Sequence, residues 1–276
     1  MNRPSLLVKL TAGALFLIFL ACTDTPANDE PTTENVVEVP TEEEVEPIVI
    51  DSSFTLDYVR GRFNPATHPD FTVVDAKYTD GDGTYYLRKD TYEAFKEMHA
   101  AAAADTVRLT IISATRNFNR QKSIWEAKWF GARLLEGRES APEVYPEPVD
   151  RALAILRWSS MPGTSRHHWG TDMDINRLTN DYFESGEGLK VYEWMTANAA
   201  SFGFCQPYSS KGEDRPHGYN EEKWHWSYLP AARQLTELAR TALSDQEIDG
   251  FEGSEVATAI GVVEKYVLGI NAVCKE

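Results

Sequence analysis

The sequence predicts an α+β fold, with a small antiparallel sheet packed against helices. Three observations predict it. Short runs rich in β-branched and aromatic residues occur beside longer runs with helical spacing. They do not follow the regular βαβ alternation of a doubly wound sheet. The 276 residues, 42% of them hydrophobic, allow one sizeable domain or two small ones.

Folding signals begin near residue 51, after two segments of different character. Residues 1–22 read as an export signal. Arg3 and Lys9 supply positive charge, and Leu10 to Leu20 is apolar apart from Thr11 and Gly13. That run is shorter than the roughly 20 residues of a membrane-spanning helix. Ala21-Cys22 after it resembles a lipoprotein processing site, although Leu20 is bulkier than usual there. This predicts an exported chain anchored to a membrane through lipid on Cys22; the alternative is a plain secretory signal with an incidental Cys, and either places the mature chain outside the cytoplasm. Residues 23–50 hold nine acidic residues and no Lys or Arg, with several Pro and Thr. Such a segment buries too little apolar surface to fold and reads as a disordered, self-repelling tether. The overall net charge of -16 argues against nucleic acid as a partner.

From residue 51 the elements follow in order. Phe71 to Val74 and Thr84 to Arg88 read as two strands around a hairpin turn at Asp80-Gly-Asp-Gly83. Asp90 to Ala104 reads as a helix capped by Asp90, with Tyr92, Phe95 and Met98 on one face. Val107 to Ile112 reads as a buried strand. Asn119 to Leu135 and Pro148 to Trp158 read as helices, with Asn119 available as a cap. Thr171 to Asn176 and Trp224 to Tyr228 read as strands, Leu189 to Phe202 as a helix, and the chain from Pro230 onward as mainly helical. Setting Cys22 aside leaves Cys205 and Cys274. In an oxidising compartment they form a disulfide tying the tail to the core, or else stay as two buried thiols.

Three segments carry side chains suited to chemistry. Ser165-Arg-His-His-Trp-Gly-Thr-Asp-Met-Asp174 gathers two imidazoles and two carboxylates around a glycine. His nitrogen and Asp oxygen are both good zinc ligands. On a strand, Asp172 and Asp174 point to the same face. Glu221-Glu-Lys-Trp-His-Trp-Ser-Tyr228 places Glu222 three residues before His225, so that both can face one cleft. A catalytic zinc site needs three protein ligands, an open position and a nearby carboxylate. In Ser113-Ala-Thr-Arg-Asn-Phe-Asn-Arg-Gln121, Arg116 stands at a strand-to-helix junction, where a guanidinium can bind a carboxylate or an oxyanion.

In their order along the chain the segments resemble the zinc D-alanyl-D-alanine carboxypeptidase family of the VanY type, which shares the hedgehog/DD-peptidase fold. Ser165, His167, Gly170 and Asp174 match one motif of that family. Glu222, Trp224 and His225 match a second, and Ser113, Arg116 and Gln121 a third. The resemblance runs from about Tyr85 to Tyr228. It implies one peptidase domain with a helical C-terminal extension, zinc (Zn2+) as cofactor and peptidoglycan peptides as substrate. It implies His167, Asp174 and His225 as the zinc ligands. Glu222 would act as general base and then as acid toward the leaving amine, and Arg116 would stabilise the tetrahedral intermediate. Gln121 and Ser165 would hold the substrate near its carboxylate end. Trp224, with Trp169 and Trp226, would wall the cleft or pack in the core. His168 would lie behind the ligands or at the surface. The bond implied first is D-Ala-D-Ala. An L,D bond, an internal endopeptidase bond, and an inactive cell-wall-peptide or protein binding module are the alternatives. The chain departs from the pattern at Asp172, where Ala is usual, and at Lys223, where Pro is common.

Overall fold

The computed structural model describes residues 48–275 apart from residue 82. The export signal with Cys22, and the tether up to residue 47, lie outside the described residues. Among the described residues no helix is long and apolar enough to cross a membrane.

The central sheet has four antiparallel strands in the order β3-β4-β6-β5. These are β3 (Ile111–Ser113), β4 (Asp172–Ile175), β6 (His225–Tyr228) and β5 (Phe204–Cys205). A second sheet pairs β1 (Phe71–Val73) with β2 (Tyr86–Arg88). Among the described residues there are eight α-helices: α1 (Leu56–Val59), α2 (Lys89–Ala104), α3 (Phe118–Trp129), α4 (Ala141–Val144), α5 (Pro148–Ile155), α6 (Gly186–Asn198), α7 (Leu229–Ala242) and α8 (Ala257–Ile260). The α+β class is as expected.

Side-chain alternation on β4 and β6 divides the interior in two. Met173, Ile175 and Trp226 enter one buried apolar cluster, with Leu87, Phe95 and Met98 from β2 and α2. Asp172, Asp174, His225 and Ser227 occupy the alternate positions and are also buried. A second cluster gathers Trp125 and Trp129 of α3, Ile155 of α5, Leu235 of α7 and the chain from Leu243 to Cys274. The sheet therefore carries an apolar core on one side and a buried polar patch on the other.

Several expected boundaries move, each for a local reason. β1 and β2 pair antiparallel but are not joined by a tight hairpin. A 3-10 turn at Ala76–Tyr78 intervenes, and Thr79 forms an isolated bridge to Ile111 of β3. The connection thus links the small sheet to the central one instead of reversing directly. The segment Val107 to Thr110 is not strand. Val107 N–H closes onto Ala102 O at the end of α2, and Thr106 adopts a positive φ of 62°, so β3 starts only at Ile111. The cap of α3 is Asn117, not Asn119: its side-chain oxygen accepts from Arg120 N–H at 3.0 Å. α2 begins one residue before Asp90, whose carboxylate instead accepts from Thr91 N–H at 2.7 Å and meets Arg88.

Cys205 and Cys274 are joined by a disulfide, with Cα atoms 5.9 Å apart. It fastens the C-terminal 3-10 turn Ala272–Cys274 to edge strand β5, beside the hydrogen bond from Asn271 N–H to Pro207 O. The bond closes a separation of 69 residues, and cross-links of this length stabilise by about 2–4 kcal/mol. Cys274→Ser is expected to lower unfolding stability by about that amount. Denaturant titration against the wild type under oxidising conditions checks it, and an unchanged midpoint would remove the tail bridge from the stabilising contacts.

Candidate metal centre and active-site cleft

β4 and β6 pair in a register that sets Asp174 opposite His225 and Asp172 opposite Ser227. Side chains so placed project from the same face as immediate neighbours. His225 Nδ1 consequently stands 3.0 Å from Asp174 Oδ1. His167 arrives from a 3-10 turn, Arg166–His168, which precedes β4. Its Nε2 is 3.3 Å from the same carboxylate oxygen. Gly170 ends this turn with φ 75°, and a Cβ there would meet the Phe71 ring at 2.4 Å. The glycine of the motif is thus required twice, for its backbone angle and for the close approach of Phe71. The turn is also tied to α1: Tyr58 Oη donates to Trp169 O, and Trp169 Nε1 donates to Val59 O.

The donor atoms of His167, Asp174 and His225 lie within 4.8 Å of one another, and all three residues are buried. Asp174 Oδ1 has no aligned hydrogen-bond partner despite its two imidazole neighbours. The remaining ring nitrogens are engaged elsewhere. His167 Nδ1 is 2.9 Å from Ala114 O, an arrangement that puts the proton on Nδ1 and turns the Nε2 lone pair toward Asp174. His225 Nε2 is 2.9 Å from Asp172 Oδ1. Two nitrogens and an orphaned carboxylate oxygen converging in a buried site form a fitting ligand set for zinc.

Asp172 is the organising group behind this centre. One oxygen accepts from Arg166 Nε at 3.0 Å and meets His225 Nε2. The other accepts from Thr171 Oγ1 at 2.5 Å and Ser227 Oγ at 3.0 Å. Arg166 is itself buried, donates to Ser227 Oγ and Thr236 Oγ1, and lies over the Trp169 ring at 4.5 Å. Burial opposes ionisation of Asp172, but Arg166 and His225 outweigh it and hold the carboxyl well below its usual range. Asp174 is likewise held well below the carboxylate range, its burial offset by His167 and His225. For His225, burial lowers the pKa, yet the hydrogen bonds of Asp172 and Asp174 raise it to about 9. A cation bound by this set therefore competes with a proton for the imidazole.

The site opens into a cleft of about 1500 Å³. Arg116, Gln121, Trp224 and Glu222 line it beside His167, Asp174 and His225. Glu222 Oε2 is 3.5 Å from His225 Nδ1, and burial pushes its pKa up to about 8, with the Asp174 charge adding to the rise. A carboxylate in that range can take and return a proton near neutral pH. Arg116 Nη1 stands 3.7 Å from Asp174 Oδ2 and donates to Ser113 Oγ at 2.7 Å. Its Nε donates to Gln121 Oε1 at 3.0 Å, and Gln121 Nε2 donates to Ser160 O at 2.8 Å. Seven of the eight expected site residues are thus brought to one cleft. Ser165 is buried, its hydroxyl has no hydrogen-bond partner among the described residues, and it is not part of the cleft wall.

Of the three tryptophans, Trp224 faces the cleft and stacks with Trp158 at 5.8 Å, while Trp169 and Trp226 pack in the two cores. His168 is fully buried, with Nδ1 2.6 Å from Arg116 O and Nε2 accepting from Gly163 N–H. Lys223 N–H donates to Asn180 Oδ1 at 3.1 Å, a bond that proline could not make. Residue patterns alone missed Arg166, Tyr208 and Lys128. Arg166 had a signal, since a cation six residues before the unusual Asp172 offers it a partner. Tyr208, whose ring lies 4.7 Å from that of His225, had none.

Two predictions follow from these contacts. Asp172→Ala leaves Arg166 buried without its anion and frees the back of His225. It should cost about 3–5 kcal/mol of stability and weaken metal binding roughly 10–100-fold. Denaturation and metal-competition titrations measure the two effects, and unchanged metal affinity would refute the positioning of His225. The second concerns His168, whose pKa burial lowers to about 3. The unfolded chain takes up this proton near pH 6.5, where the folded one does not. Its stabilising contribution is therefore complete above about pH 6.5 and declines as pH falls from there toward 3. His168→Asn should flatten the slope of stability against pH between 4 and 6.5, and an unaltered slope would show that His168 binds protons equally in both states.

The family model for VanY D-alanyl-D-alanine carboxypeptidase matches residues 84–231. YodJ of Bacillus subtilis (strain 168), named for a carboxypeptidase activity, is 28% identical over 174 residues, covering 61% of this chain and 55% of that protein. A D-alanyl-D-alanine carboxypeptidase of Enterococcus faecalis (strain ATCC 700802 / V583) is 30% identical over 134 residues, covering 49% and 45%. The chain spans about half the length of the curated relatives it matches. Among solved structures, VanYB in complex with D-alanine-D-alanine aligns at 25% identity with a TM-score of 0.43, covering 64% of this chain and 92% of that one. The family match holds more than half of the chain and includes every residue of the metal centre and its cleft partners Arg116, Gln121 and Glu222. The chain therefore belongs to the VanY D-alanyl-D-alanine carboxypeptidase family.

Proposed function

We propose that this protein is a zinc-dependent carboxypeptidase that removes the terminal D-alanine from D-alanyl-D-alanine ends of peptidoglycan stem peptides. The observation that carries the reading is the convergence of His167 Nε2, Asp174 Oδ1 and His225 Nδ1, with Glu222 beside them in the cleft wall. Family membership and the Enterococcus faecalis relative support the choice of bond. His167, Asp174 and His225 would hold the zinc, which when bound acidifies a water and polarises the peptide carbonyl. Glu222 takes the proton from the attacking water and passes it to the departing amine nitrogen. Arg116, held in place by Gln121 and Ser113, presents its guanidinium to the oxyanion that develops on the carbonyl. Trp224 and Trp158 form an aromatic wall against which the peptide can lie. We further propose that the chain is exported and held at a membrane by lipid on Cys22, with residues 23–50 as the tether. The charged n-region, short apolar run and Ala21-Cys22 support this, and such a placement gives access to the cell wall.

Glu222→Gln is expected to retain stoichiometric zinc while losing roughly 10²–10⁴-fold in kcat on a pentapeptide ending in D-Ala-D-Ala. Metal analysis with mass-spectrometric product detection checks both parts. Full activity in the variant would overturn the base assignment, and cleavage of the wild-type substrate at another bond would overturn the choice of bond.

A further inference from the structure

The cleft contains a half-buried cation, Arg116, and a buried one, Lys128, in very different circumstances. Arg116 faces the Asp174 carboxylate and gives hydrogen bonds to Ser113 and Gln121. Lys128, on α3 seven residues after Gln121, is only 9% exposed, and its ammonium has one partner, Ser159 Oγ at 2.5 Å. It forms no ion pair among the described residues. An ammonium carries three donors, so two remain unused. Ser159 and Ser160, both buried, form the adjoining wall, and Ser160 O holds the Gln121 amide that fixes Arg116. Lys128 thus belongs to the same polar wall as Arg116. Burial lowers its pKa to about 8, and the nearby charges of Arg133, Glu222 and Arg116 act on it. A buried cation without an anion is costly, and its position in an open cleft lets a ligand supply the missing charge. The rim arginines Arg120, Arg133 and Arg138 are exposed to solvent, and Arg138 also pairs with Glu136 at 3.5 Å.

A peptide cut by a carboxypeptidase brings one anion closer to the reacting amide than any other. This is the α-carboxylate of the last residue, separated from the scissile nitrogen by a single carbon. We infer that Lys128 receives this C-terminal α-carboxylate, with Ser159 orienting the ammonium, and so makes the cleft select chain ends. The inference rests on the carboxypeptidase reading above. It assigns to Lys128 the recognition of the free acid and leaves Arg116 for the oxyanion.

The test uses the full chain loaded with zinc and two peptides, one ending in D-Ala-D-Ala as the free acid and one as its carboxamide. The wild type should favour the acid through KM, by roughly 10- to 100-fold for a hydrogen bond between charged groups. Lys128→Met should lose this preference by raising KM for the acid alone, with kcat little changed, and Lys128→Arg should restore part of it. A Lys128→Met variant that is folded, binds zinc and keeps the wild-type acid preference overturns the inference. Equal cleavage of acid and amide by the wild type also overturns it. If the wild type cleaves neither peptide, the carboxypeptidase reading fails, and calorimetric binding of the two peptides decides the inference separately. Binding of the acid alone, lost in Lys128→Met, upholds it, and equal binding of both refutes it.

Discussion

The register between β4 and β6 is the constraint on which the site depends. It sets Asp174 opposite His225 and Asp172 opposite Ser227, all on one face. A slip by one residue would turn Met173 and Trp226 into the polar patch and drive two carboxylates into the apolar cluster. That alternative is so unfavourable that the core and the metal centre enforce the same pairing. Met173, Ile175 and Trp226 anchor the strands from below, and the charged residues are left to converge above.

Convergence of this kind concentrates charge in a dry place, and the structure answers it with specific partners. Asp172 is surrounded by Arg166, His225, Thr171 and Ser227, so each of its oxygens is satisfied twice. Asp174 Oδ1 is not satisfied in that way. The difference separates the two carboxylates by role: one is a finished structural clamp on the back of His225, and the other keeps an oxygen available. Glu222, raised by burial to about 8, is a third kind of carboxylate, able to exchange a proton. Three acids of the same chemistry are thus distinguished by their surroundings alone.

The elements that present these groups are fastened from outside the sheet. The 3-10 turn carrying His167 is laced to the Ala114–Arg116 segment by Arg116 N–H on His167 O and by the His168 ring on Arg116 O. Tyr58 and Trp169 fix its other end to α1. The disulfide and the C-terminal segment close over β5, next to the loop from which Tyr208 enters the cleft. Cleft geometry therefore draws on nearly the whole described chain.

Much of this was legible in the residues themselves. Alternation in Asp172-Met-Asp174 put two carboxylates on one face of a strand, because the period of a strand is local. The glycine at 170, the adjacent histidines and the Glu222–His225 spacing identified the motif, and the even pair Cys205 and Cys274 pointed to the bridge. The sequence could not say which strands would pair, since Ala114, His167 and His225 come from three distant segments. Nor could it show that Asp172 turns away from the cleft toward Arg166, that Asn117 instead of Asn119 caps α3, or that Lys128 is buried without an anion. Local pattern determined which residues were suited to bind a metal and move a proton. Only tertiary packing decided their partners, because burial and charge compensation are properties of neighbours brought together by folding.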